Sequence, residues 1–117
     1  MIYNFMSKVD QLNRIIQHNL AEIIVGEIES PNFLITISKV ECSSDLSKAK
    51  IFISVLPDKF SGTALKKLRA KSGFISGILK KKASLVKSPY LEWLIDEDLK
   101  RASAIEETLE IISQEDN

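Results

Sequence analysis

Cations dominate the one stretch of this chain whose composition could do chemistry. From Lys59 to Leu91 there are 9 Lys+Arg and no Asp or Glu, whereas Met1 to Asp58 holds 5 and 7, and Glu92 to Asn117 holds 2 and 9. The three segments carry −2, +9 and −7, so a formal net charge of zero conceals a strongly basic centre. Such a concentrated positive field attracts phosphate and gains free energy by releasing counterions, which points to nucleic acid. The competing reading is a solvated basic face balanced by the acidic C-terminus. On that reading the chain is a protein-interaction module whose basic stripe docks an acidic partner.

The other reactive side chains do not assemble a catalytic centre. His18 is the only histidine, so it lacks the second titratable partner that a nucleophile or metal site requires. Cys42 is the only cysteine, which excludes an internal disulfide and a Cys/His zinc cluster and suits a reducing compartment. Asp45 and Asp96 each read as turn formers at strand ends, and Trp93 shares its alternation with Leu91 and Ile95, as a core residue does. No GxxxxGK phosphate loop occurs, so nucleotide hydrolysis has no basis in the sequence. No catalysis, cofactor, metal or small-molecule substrate is expected. There is no apolar run of membrane-spanning length, and Met1 to Lys8 lacks the features of a signal or transit peptide. The expectation is a cytoplasmic monomer.

The elements that would position the basic segment are legible from periodicity. Val9, Leu12, Ile16, Leu20 and Ile23 recur at helical spacing, with Ser7 and Asp10 placed as a capping box, and Pro31 bars helix beyond about Ser30. Leu34 to Cys42 and Ala49 to Leu56 read as strands, and the short polar side chains of Ser43 to Ser47 make them an antiparallel hairpin. Pro57 to Gly62 is a loop in which Ser61 could cap a helix with apolar positions Ala64, Leu65 and Leu68. A second helical pattern, Phe74, Ile75, Ile78 and Leu79, begins at once. Gly73 lies between the two, where it would let the backbone turn sharply and admit a close neighbour, so a side chain there should be poorly tolerated. Tyr90 to Ile95 is a third strand, and Ala102, Ile105, Leu109 and Ile112 mark a last helix before a frayed tail, 114–117. Three strands with helices over one face make a two-layer α+β domain, taken as a single unit over residues 1–113.

That order, with its landmark residues, resembles the ribosome-binding factor A family over roughly Val9 to Ile112. The informative stretches are Glu27-Ile28-x-x-Pro31, Val40-Glu41-x-Ser43-x-Asp45-Leu46-x-x-Ala49-Lys50, Ser72-Gly73-Phe74-Ile75, and Pro89-x-Leu91 leading to Asp96. The resemblance implies a type II KH-like fold and a non-catalytic role in late maturation of the small (30S) ribosomal subunit and 16S rRNA processing. It also implies binding to small-subunit rRNA and importance for growth in the cold. The chain departs from the family at several points. Lys71-Ser72-Gly73 stands where the family usually shows Ala-x-Gly, Asn32, Ser44 and Ser76 stand where arginine is frequent, and Ala102 replaces a frequent glycine.

A KH module that grips single strands carries Gly-x-x-Gly between its helices. Here Gly73 and Gly77 are four apart, so ordinary single-strand KH recognition is not expected; in the family the kink replaces that loop. The candidate RNA-binding residues are Lys66, Lys67, Lys71, Lys80, Lys81 and Lys87, with Ser72 and Gly73 at the interhelical kink. On a helical wheel Lys66, Lys67 and Lys80 point away from the apolar stripes and Lys81 lies on the flank. Lys82 falls among Phe74, Ile78 and Leu79, so either the helix loosens before it or its stem snorkels.

Overall fold

The structure, a computed structural model, describes residues 7–102. Helix α1 (Lys8–Glu27) opens on the expected capping box: the Asp10 N–H donates to Ser7 Oγ at 3.0 Å and the Ser7 N–H to Asp10 Oδ2 at 3.3 Å. Its stripe buries Ile16, Leu20, Ile23 and Ile24, and the helix stops at Glu27, short of Pro31.

Strands β1 (Leu34–Cys42) and β2 (Lys48–Leu56) form the expected antiparallel hairpin, in register from Leu34 against Leu56 to Cys42 against Ala49. A bulge at Ser38 shifts the pairing between Ile37 and Lys39. The turn is built as its sequence suggests, with Asp45 Oδ1 accepting from Ser43 Oγ (2.8 Å), Ser47 Oγ (2.8 Å) and the Ser47 N–H (3.1 Å). These bonds hold the Asp45 carboxyl well below the usual carboxylate range, the Ser47 N–H contributing most. Leu46 adopts a left-handed φ of 60° in this turn and buries its side chain in the core.

A 3₁₀ turn, Asp58–Phe60, runs directly into helix α2 (Ser61–Ala70). Ser61 is therefore not the cap that the sequence suggested: it is the first helical residue, Phe60 holds the cap position, and Ser61 Oγ donates back to Asp58 O at 2.7 Å. The preceding turn already supplies a carbonyl to the first helical N–H, Ser61 N–H donating to Asp58 O, which leaves less for a side-chain cap to do. Helix α3 (Ser72–Lys82) follows after one non-helical residue, Lys71, with φ −106° and ψ 8°. The kink is thus made at Lys71. Gly73 has no left-handed φ, and a Cβ built on it would meet nothing within 4 Å, which corrects the expectation that a side chain there would be crowded.

Strand β3 (Tyr90–Ile95) pairs in parallel with β2, from Lys48 beside Tyr90 to Ile53 beside Ile95, giving the sheet order β1-β2-β3. Parallel neighbours need a crossover, and α2 with α3 provides it. Ala49, Ile51, Ile53 and Val55 of β2 point to the helical side and meet Ile16, Leu20, Leu68, Ile75, Leu79 and Trp93 in one core. In α3 the buried residues are Ile75, Ser76 and Leu79, whereas Phe74, expected in the apolar stripe, is 60% exposed. Ile75 and Leu79 set which side of α3 faces the sheet, and Phe74, one residue from Ile75, is rotated out of it. Residues 97–102 are helical, beginning the expected last helix; Ile105, Leu109, Ile112 and the tail 114–117 lie outside the described residues.

Candidate nucleic-acid interface

The six candidate lysines divide into two groups. Lys66 on α2, Lys80 and Lys81 at the end of α3, and Lys87 in the connection to β3 are all exposed. Among the described residues none of these four ammonium groups has an ion-pair partner. Lys67 and Lys71 are engaged within the molecule. Lys67 Nζ donates to Glu29 O at 2.6 Å and lies 5.5 Å over the Phe33 ring, and Lys71 Nζ donates to Glu27 O at 2.9 Å. Those carbonyls lie at and just beyond the end of α1, whose last turn contains no basic residue of its own. Two lysines from another part of the chain thus supply the positive charge that a helix C-terminus favours.

Lys82 is still within α3 and exposed, so neither loosening nor a buried stem is needed. Its ammonium meets Glu22 of α1, and that contact holds the Glu22 carboxyl below its ordinary pKa. Arg69, absent from the sequence-based candidates, donates from Nη2 to Trp93 O at 3.3 Å and ties α2 to β3. The usable positive charge is therefore narrower than the run of nine suggested.

The end of α3 also gives its lysines a structural reason. Leu85 N–H donates to Lys80 O at 2.9 Å and Ser84 N–H to Lys81 O at 3.4 Å, with Ser84 at φ 53°, the pattern of a Schellman C-cap with serine in the left-handed position. Lys80, Lys81 and Lys82 occupy the last turn, where the helix dipole favours cations. Lys87 lies close enough to the hairpin turn to add to the lowering of the Asp45 pKa.

At the kink, Ser72 is half-buried and faces inward: the Trp93 indole N–H donates to Ser72 Oγ at 3.0 Å. Ser76, where the family often has arginine, is buried, and its Oγ donates to Pro89 O at 2.5 Å. A cation at that position is thus not missing from the exposed face of α3. Among the described residues no group of three or more His, Cys, Asp or Glu side chains could hold a metal ion. Nor is any described helix long and apolar enough to cross a membrane.

Comparison with known proteins agrees with this architecture. The profile of the family described as ribosome-binding factor A matches residues 8–109. Ribosome-binding factor A of Thermodesulfovibrio yellowstonii is 32% identical over 108 residues, which cover 92% of each chain. The crystal structure of ribosome-binding factor A from Thermus thermophilus superposes with a TM-score of 0.68 at 23% identity, covering 76% of this chain and 97% of that one. A homology model of Thermus thermophilus ribosome-binding factor A, fitted into the cryo-EM map of a complex of that protein with 30S, has a TM-score of 0.58 at 21% identity, covering 77% of this chain and 92% of that one. The helix-strand-strand-helix-helix-strand order is the KH-like arrangement that the resemblance implied, on a three-stranded sheet with one layer of helices. Fold, profile and relatives agree across most of the chain, and it belongs to the ribosome-binding factor A family.

Proposed function

We propose that this protein is a non-catalytic ribosome-binding factor of the cytoplasm that binds the small ribosomal subunit through its rRNA and assists late 30S maturation and 16S rRNA processing. The observation that carries this reading is the set of four exposed lysines, Lys66, Lys80, Lys81 and Lys87, with no ion-pair partner among the described residues. Phosphate contacts of this kind set orientation and affinity without requiring a catalytic group. The relative fitted into a 30S complex supports the choice of partner. Lys67 and Lys71 serve the interface indirectly, by fixing the end of α1 against α2.

Sedimentation of the purified protein with 30S subunits through sucrose gradients at several salt concentrations tests the proposal. Co-migration that weakens steeply as salt rises is expected, because each neutralised phosphate releases condensed counterion. Absence from every ribosomal fraction, with retention by an acidic protein instead, would return the basic stripe to a role in protein docking.

A further inference from the structure

The exposed side of α3 is more specialised than a charged helix face. At about 100° per residue, Gly73, Phe74, Gly77, Lys80 and Lys81 fall in one sector of about 120°, opposite the buried Ile75, Ser76 and Leu79. Phe74 is 60% exposed and stands outside the hydrophobic core. A Cβ at Gly73 or Gly77 would meet nothing within 4 Å, so the ground on one flank of the ring is open. Helix α3 itself contains no carboxylate.

A lone exposed apolar residue is ordinary, and its surroundings distinguish Phe74. Val25 and Val86 are more exposed but lack a π-face. Tyr90 is exposed on the uncovered side of the sheet, but there two carboxylates stand among the cations, Glu41 against Lys39 (3.5 Å) and Glu92 against Lys48 (2.9 Å). On α3 an uncovered aromatic ring shares a face with two lysines that have no ion-pair partner among the described residues. Stacked bases and their phosphates need such a combination of ring and positive charge.

We infer that Phe74 is a base-stacking platform for an unpaired nucleotide of RNA, with Lys80 and Lys81 holding the adjoining phosphates. Phe74 and Lys81 are seven residues apart, about 10 Å along the helix axis, and the flexible lysine stem spans the rest. Gly73 and Gly77 leave room for the ribose-phosphate chain to lie against the helix. This inference rests on the RNA-binding reading above and adds to it a contact to a base rather than to phosphate.

The test measures binding of purified 30S subunits to the full chain and to Phe74→Ala, Phe74→Leu and Phe74→Tyr, with urea unfolding to show that each variant is folded. Loss of stacking should weaken binding about 5- to 100-fold in the Ala and Leu variants, and Tyr should recover most of the loss. The salt dependence should be unchanged by Phe74→Ala but should flatten by about 0.7 in log–log slope for each of Lys80→Gln and Lys81→Gln, the single-strand value. Binding by Phe74→Ala equal to that of the parent overturns the inference while leaving the proposed function intact. Full binding by Phe74→Leu with loss in Phe74→Ala also overturns it, because that is the signature of an apolar protein pocket. Failure of the parent chain to bind 30S subunits overturns the proposed function itself.

Discussion

Trp93 donates its indole N–H to the Ser72 hydroxyl at 3.0 Å, fastening the start of α3 to the parallel strand β3. The Ser72 hydroxyl is in turn directed at Leu91 O, 3.4 Å away. Trp93 is 1% exposed, so Ser72→Ala would leave a buried donor unpaired. The expected cost is about 1–3 kcal/mol, read from urea unfolding followed by tryptophan fluorescence. A variant as stable as the parent would show that the indole N–H finds another acceptor.

Two backbone positions should respond in ways the sequence alone would not suggest. Gly73 needs no left-handed conformation and has open space, so Gly73→Ala should leave stability unchanged or raise it by up to about 1 kcal/mol. Ser84 at φ 53° holds the C-cap of α3, so Ser84→Gly should stabilise by about 0.5–1 kcal/mol, the relief of left-handed strain exceeding the entropy of the added glycine. Urea midpoints of the two variants check both, and a destabilised Gly73→Ala would bring back the crowded kink.

Asp96 closes the sheet against the helical stretch that follows it. Its Oδ2 accepts from Ser38 Oγ at 2.6 Å and its Oδ1 from the Leu99 N–H at 3.0 Å, and these bonds, Ser38 first, lower its pKa. The stabilisation is fully present above the unfolded-state value near about 3.9 and is lost as pH falls through the lower folded value. Ser38→Ala should raise the Asp96 pKa toward the unfolded value and shrink that contribution. A carboxyl NMR titration reads the shift directly, and an Asp96 pKa unmoved by the substitution would contradict it.

The lysines should separate by role. Lys67→Ala and Lys71→Ala each remove a donor from the end of α1 and should cost roughly 0.5–1 kcal/mol. Lys66→Glu, on an exposed part of α2, should change stability by no more than about 0.5 kcal/mol while weakening 30S binding. Urea unfolding and gradient co-sedimentation of the same variants check the division. Equal stability loss at positions 66 and 67 would remove the distinction.

The sequence by itself determined several features whose cause is local. The capping box of Ser7 and Asp10 spans three residues, the stripe Ile16, Leu20 and Ile23 and the alternation of Ala49, Ile51, Ile53 and Val55 follow the periods of helix and strand, and Asp45 organises its turn over two residues on either side. The existence of a basic segment was also legible. Which of its lysines remain available was not, because Lys67 and Lys71 find their carbonyl partners 38 and 44 residues away, and Lys82 finds Glu22 60 residues away. The inward turn of Ser72 and the outward turn of Phe74 depend likewise on how α3 is rotated against β3. Spacing along the chain specifies which residues share a face of one element; the partner that a long side chain meets depends on which other element packs beside it, and only the tertiary structure decides that.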